Sequence, residues 1–251
     1  FRALAQSALG RCEEARPGLE AGQAGGDSRI ARLAGTALVQ CLVAGKQYFE
    51  ALRMAESLKQ RFPADEDVLF QLARIHMRAF NETVYEMFRA TSASYRVNQL
   101  SGEIFEQQGK YSEAVAEYRK AIEKNAAAVH LHYRLGRAIL MESHTAEALE
   151  NARQAFMEEL RRNPNDAAAE YQIGQILLAQ QKPEEAERHF RQASALDAKF
   201  VEPLVALGKL KSEAKQYPAA VEALEKAVTL EPANEAARYA LMIAYRNAGR
   251  R

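Results

Sequence analysis

The sequence predicts an all-α protein built from antiparallel helix pairs. Three observations lead to this fold class. One pattern of small residues recurs at nearly constant spacing, the apolar residues between them follow a helical period, and the composition favours helices, with only 7 Pro and 13 Gly among 251 residues. A linear array of short helices satisfies all three.

The recurrence is clearest in four glycines. Gly102, Gly136, Gly174 and Gly208 are separated by 34, 38 and 34 residues. Each glycine is followed 12 residues later by an alanine, namely Ala114, Ala148, Ala186 and Ala220. A period near 34 is typical of helical-repeat architectures.

Within one period the pattern predicts two helices. Residues 112–124 carry one apolar stripe at helical spacing, formed by Ala114, Val115, Tyr118, Ala121 and Ile122. An earlier stripe is formed by Val97, Leu100, Ile104 and Phe105. Gly109 lies between the stripes and suits a helix C-terminus. We therefore expect an antiparallel pair whose helices approach closely at Gly102 and Ala114.

The pattern resembles the tetratricopeptide repeat, a 34-residue motif with small residues at three positions and large apolar residues between them. Three stretches match it best: Gly102, Ala114 and Ala121 with Tyr118; Gly174, Ala186 and Ala193 with Phe190; and Gly208, Ala220 and Ala227 with Leu224. The resemblance implies a right-handed superhelical solenoid of antiparallel helix pairs over 1–251, with a concave groove lined by the first helix of each pair.

The motif divides the chain into units of unequal regularity. The predicted repeats are 32–65, 66–94, 95–128, 129–166, 167–200 and 201–234, flanked by a degenerate partial repeat, 1–27, and a half repeat, 235–251. Repeat 129–166 has four extra residues, which predict a second helix about one turn longer. Repeat 66–94 is short, with an irregular second helix. In 1–27, Pro17 and the stretch GQAGGD predict a loose loop.

The last helix keeps an apolar face, formed by Ala240, Leu241 and Ala244. A capping helix would be polar on that side. We therefore expect the native chain to extend further, or a partner or a second copy to cover this end by self-association through the open repeat ends. A capping half repeat is the alternative.

Bulk properties exclude several classes of protein. A net charge of +1 argues against a nucleic-acid partner, and the absence of an apolar run of about 20 residues argues against membrane insertion. Cys12 and Cys41 are predicted to be small buried apolar residues, since two scattered cysteines form neither a disulfide framework nor a zinc set. They leave the cellular compartment open.

No motif for catalysis, metal binding or a cofactor is present in the sequence. His130 and His132 are two residues apart and are expected to point in different directions, which suits chelation poorly. We therefore expect no catalytic residue, no metal and no cofactor. Thr145, Asn165 or Asp166, and Asn234 are predicted helix N-caps.

The resemblance implies which residues face the groove. The predicted peptide-binding residues are Phe70, Arg74, Tyr133, Arg137, Tyr171, Gln175, Lys209 and Tyr239. Six of these residues form pairs that place an aromatic ring one helical turn from a donor-rich side chain: Phe70 with Arg74, Tyr133 with Arg137, and Tyr171 with Gln175. This combination is favoured in binding hot spots. Because tyrosine is common at this motif position, simple helix packing is the alternative.

These observations favour a non-catalytic scaffold that binds a protein or peptide partner in the groove. The competing hypothesis is a substrate-presenting region of a larger enzyme, such as a transferase.

Overall fold

The structure is a computed structural model that describes residues 1–249. The predicted all-α class is confirmed, because the described residues form fourteen α-helices and no strand. The chain divides into two compact units, Phe1–Ser92 and a unit that begins at Ala93. Within residues 1–249, no helix combines the length and apolar character that crossing a bilayer requires.

The first unit contains five helices: α1 Arg2–Ala8, α2 Cys12–Ala24, α3 Ser28–Ala44, α4 Tyr48–Arg61 and α5 Glu66–Ala90. Its core gathers the apolar sides of α2, α3 and α4 with the first half of α5. The second unit contains nine helices: α6 Tyr95–Gln107, α7 Tyr111–Lys124, α8 Leu131–Glu142, α9 Ala146–Arg162, α10 Ala167–Ala179, α11 Pro183–Leu196, α12 Val201–Glu213, α13 Tyr217–Leu230 and α14 Glu235–Asn247. Each helix of this unit packs on the next one along the chain.

The predicted glycines mark where the helices of a pair touch. A Cβ atom added to Gly102 would lie 2.6 Å from the ring of Tyr118, one added to Gly136 would lie 2.8 Å from Phe156, and one added to Gly174 would lie 2.5 Å from Phe190. Real Cβ contacts are never this short, so only glycine lets the large side chain of the second helix reach the backbone of the first. Gly208 has the same relation to Leu224.

The large side chains at these contacts are fully buried. Tyr118, Phe156, Phe190 and Leu224 each have 0% of their surface exposed. Tyr118 is polar as well as large, and its hydroxyl donates a hydrogen bond to Glu106 Oε2 at 2.5 Å. Burial, and then this hydrogen bond, raise the pKa of Tyr118. The phenol therefore stays protonated while its ring fills the space left by Gly102.

The turns and caps follow the sequence predictions. Gly109 adopts the left-handed conformation, with φ of 71°, two residues after the end of α6. Thr145, Asp166 and Asn234 each accept a hydrogen bond from a backbone N–H in the first turn of the following helix. Helix α9 has 17 residues, whereas α7, α11 and α13 each have 14. The predicted longer helix is therefore present.

Region 66–94 differs from the expected helix pair. It forms one continuous helix of 25 residues, α5, in place of two. Residues 66–90 contain neither Gly nor Pro, so nothing in the backbone interrupts the helix. The buried side chains of α5 are Val68, Leu72 and Ile75, all in its first half.

The start of the chain is also more ordered than the sequence suggests. Helix α2 continues through Pro17 and ends at Ala24, so most of GQAGGD is helical or a short turn. Ala15 and Leu19 are completely buried. A Cβ atom on Gly22 would lie 3.0 Å from Ala34, which shows how closely α2 approaches α3.

The prediction for the two cysteines was wrong. Cys12 and Cys41 form a disulfide bond across a sequence separation of 29 residues, with their Cα atoms 5.4 Å apart. Cys12 begins α2 and Cys41 lies near the end of α3. Because successive helices run antiparallel, these two positions meet at the same end of the pair. The spacing along the chain does not show this.

We predict that the disulfide stabilises the first unit. Closing a loop of about 30 residues in the unfolded chain contributes about 3–4 kcal/mol to the free energy of unfolding. Replacing both cysteines by serine should therefore speed amide hydrogen exchange in residues 12–44, measured by mass spectrometry. Residues 110–124 of the second unit provide the internal control. Unchanged exchange in 12–44, or two titratable thiols in the native protein, would contradict the assignment.

Candidate functional site

The eight predicted groove residues are divided between the two units. Phe70 and Arg74 belong to the first unit, and the other six belong to the second.

In the first unit, Phe70 and Arg74 form an exposed pair on α5. Phe70 has 60% of its surface exposed, and the guanidinium carbon of Arg74 lies 5.7 Å from the centroid of its ring. Arg74 also borders a cleft of about 360 Å³ between α3 and α5. The cleft is lined by Gln40, Val43, Gln71, Arg74, Ile75, Met77, Arg78 and Asn81. Two arginines and no acidic residue line this cleft.

In the second unit, the ring of Tyr133 packs against the following helix, α9. Its ring centroid lies 5.5 Å from that of the buried Phe156, and burial raises the pKa of Tyr133. Arg137, one turn later, is exposed, and its guanidinium lies 3.9 Å from Glu106 Oε1. The aromatic member of this pair therefore supports α9, while the arginine stays at the surface.

Tyr171 combines packing with an oriented polar group. Its ring contacts Phe190 and Phe200, with centroid separations of 5.7 and 5.2 Å. Its hydroxyl accepts a hydrogen bond from Gln175 Nε2 at 2.7 Å. Burial raises the pKa of Tyr171, so the hydroxyl retains its proton as a potential donor.

Three of the predicted residues meet in one cleft. Tyr171 and Gln175 of α10 face Lys209 of α12 across a cleft of about 330 Å³. The remaining lining residues are Leu178, Glu202, Val205, Ala206, Leu210, Glu213, Asn234 and Ala236. Tyr239 does not line this cleft; it lies on α14 with 66% of its surface exposed.

The charges of the cleft are not neutralised internally. Among the described residues, no ion pair joins Lys209 to Glu202 or Glu213. All three side chains belong to exposed residues of α12. The cleft thus presents one ammonium group, two carboxylates, a phenol and two carboxamides above an apolar floor.

A second polar cluster escaped the sequence analysis. Glu159 of α9 is completely buried, and its carboxylate accepts hydrogen bonds from the backbone N–H groups of His130 at 2.7 Å and Tyr133 at 3.3 Å. This carboxylate caps α8, whose own N-cap residue makes no side-chain cap.

The sequence contains a signal for Glu159. It lies three residues after Phe156, where the other repeats place fully buried alanines after the large side chain, namely Ala121, Ala193 and Ala227. A carboxylate at a position where the other repeats have a buried alanine indicates that this repeat is packed differently. The four extra residues of this repeat hide it when the motif is aligned from Gly136.

Comparisons with known proteins agree with this architecture. A family model described as TPR repeat matches residues 102–141, and one described as Bacterial transcriptional activator domain matches residues 165–251. No curated protein sequence matches the chain significantly.

Solved structures with the same fold share little sequence with the chain. The MamA protein has 19% identity and a TM-score of 0.56, covering 62% of this chain and 82% of its own. YrrB, titled a TPR protein with an unusual peptide-binding site, has 17% identity and a TM-score of 0.55, covering 67% and 84%. A structure of the APC/C hetero-tetramer Cut9–Hcn1 has 15% identity and a TM-score of 0.55, covering 85% and 42%.

The fold and its repeated helix contacts define an α-helical repeat protein. Residues 102–141 match the TPR repeat model, and the chain shares its fold with YrrB, which is titled a TPR protein.

The structure predicts that Tyr133 acts through its ring. Tyr133→Ala should lower the free energy of unfolding by about 1–3 kcal/mol, because the contact with Phe156 is lost. Tyr133→Phe keeps the ring and should unfold at nearly the wild-type urea concentration. If Tyr133→Ala left the urea midpoint unchanged, the packing role assigned to this ring would be wrong.

Proposed function

We propose that this protein is a non-catalytic interaction module that holds an extended peptide segment of a partner protein in the cleft between α10 and α12. The observation that carries the proposal is the convergence of Tyr171, Gln175 and Lys209 in this cleft. A cleft of this size with a few converging polar groups above an apolar floor is typical of ligand sites.

The groups in the cleft suit a peptide backbone. An extended chain presents carbonyl and N–H groups alternately and rises about 3.3 Å per residue. Lys209 and the phenol of Tyr171 donate hydrogen bonds, whereas Glu202 and Glu213 accept them. Leu178, Val205, Ala206 and Leu210 provide apolar area for one or two side chains of the peptide.

The charge of the cleft selects among peptides. Two carboxylates outnumber one ammonium group, so the bound segment should carry at least one lysine or arginine. Residues 165–251 match a model described as Bacterial transcriptional activator domain, which raises the question of a nucleic-acid partner. The net charge of +1 for the whole chain offers little attraction for a phosphate backbone. We therefore propose a protein partner for this region as well.

Phe70 and Arg74 provide a second contact surface in the first unit. An exposed aromatic ring with an arginine 5.7 Å from its centroid is a common feature of hot spots. Its partner should be neutral or acidic, because the adjoining cleft contains two arginines and no carboxylate. Arg137 and Tyr239 remain predicted contact residues outside these clefts.

A peptide-display screen tests the proposal. A random peptide library is selected on the folded chain, and an enriched peptide is labelled for fluorescence anisotropy. Replacing Gln175 and Lys209 together by alanine should weaken its binding at least tenfold, about 1.4 kcal/mol, because both polar anchors are lost.

Lys199→Ala is the matched control, because Lys199 is an exposed lysine outside the cleft. It should bind the peptide with wild-type affinity. Both variants should have the melting temperature of the wild type. Equal affinity of the peptide for the Gln175/Lys209 variant would place the binding surface elsewhere. A screen that enriches no peptide would count against the interaction function itself.

A further inference from the structure

A cluster of metal-ligating side chains lies where α8, α9 and α10 meet. His130 directly precedes α8, Glu159 lies in the last turn of α9, and Asp166 directly precedes α10. His130 Nδ1 lies 3.8 Å from Glu159 Oε1 and 3.7 Å from Asp166 Oδ2. One ligand atom from each residue falls within 4.8 Å of the other two.

The two carboxylates are fixed by helix ends. Glu159 is completely buried and held by the backbone N–H groups of His130 and Tyr133. Asp166 uses Oδ1 to accept from Ala169 N at 2.9 Å, which directs Oδ2 towards His130. Asn163 Nδ2 makes only a long contact of 3.5 Å with Oδ2. Neither carboxylate can leave the cluster without uncapping a helix.

The imidazole closes the cluster from the solvent side. His130 has a left-handed backbone, with φ of 66°, and its side chain is 61% exposed. The side chains of Asp166 and Glu159 are 9% and 0% exposed. The result is a partly closed site with two buried anionic oxygens and one accessible nitrogen.

We propose that His130, Glu159 and Asp166 bind a divalent transition-metal ion of the Zn²⁺ class. Zinc takes imidazole nitrogen and carboxylate oxygen at about 2.0–2.2 Å in a tetrahedron, which places neighbouring ligand atoms about 3.4 Å apart. The separations of 3.7 and 3.8 Å are therefore close to those that the ion requires. Three protein ligands leave one coordination position open towards solvent.

The donor set distinguishes among metals. Mg²⁺ prefers six oxygen ligands and keeps several waters, so a site with a nitrogen ligand suits it poorly. A bound Zn²⁺ would also neutralise the buried carboxylate and join three helices from two consecutive repeats. This role goes beyond peptide binding, since none of the three residues lines the cleft between α10 and α12.

The test uses tag-free protein freed of metal with a chelator, and ZnCl₂ as the probe. Competition with a chromogenic chelator should show one Zn²⁺ per chain, and Zn²⁺ but not Mg²⁺ should raise the melting temperature. His130→Asn should weaken Zn²⁺ binding at least tenfold. It should still melt near the wild type without metal, because the cap uses the backbone N–H and asparagine tolerates positive φ.

Asp166→Asn is the second variant, since asparagine caps α14 in the same way at Asn234. It should likewise lose Zn²⁺ while keeping the helix cap. His144→Asn, at an exposed histidine outside the cluster, should bind Zn²⁺ as the wild type does. The proposal is overturned if the wild type binds no Zn²⁺, if Mg²⁺ binds equally well, or if His130→Asn and Asp166→Asn both retain wild-type affinity.

Discussion

The architecture of the second unit depends on one contact, made between a glycine in the first helix of a pair and a large side chain in the second. Gly102, Gly136, Gly174 and Gly208 each lie against a completely buried residue whose atoms occupy the place of a Cβ. The contact sets how closely the helices approach, and hence which side chains remain at the surface. Two of these buried rings, Phe156 and Phe190, also contact Tyr133 and Tyr171. The same glycine contact therefore helps to position the tyrosines of the candidate site.

The sequence was sufficient to predict the parts of the fold that depend on local spacing. The period near 34 residues, the turn at Gly109, the caps at Thr145, Asp166 and Asn234, and the longer α9 all follow from one-dimensional patterns. Three features did not follow, and one is the continuation of α2 through Pro17 to Ala24. The Cys12–Cys41 bond depends on which helix ends meet in space, and the continuity of α5 depends on the absence of a breaker where the repeat frame required one. The repeat pattern predicts the helices well only where the sequence keeps the 34-residue spacing.

The candidate site was only partly predictable for a related reason. The motif positions placed Tyr171, Gln175 and Lys209 on one face, and the structure adds which neighbours form the cleft with them, among them Glu202 and Glu213. The motif positions did not show that the ring of Tyr133 packs against Phe156. The buried carboxylate of Glu159 was missed because the insertion in its repeat shifts it out of alignment with the alanines that it replaces. Departures from the motif therefore carry more information about this protein than its agreements do.

A double-mutant cycle between Gly174 and Phe190 tests the central contact most directly. Urea unfolding is measured for the wild type, Gly174→Ala, Phe190→Ala and the double variant. We expect Gly174→Ala to cost about 1–3 kcal/mol in the wild type, because the new Cβ meets the ring, and nearly nothing once the ring is removed. Equal costs in the two backgrounds would show that the ring does not require the glycine, and that the contact does not set the approach of the two helices.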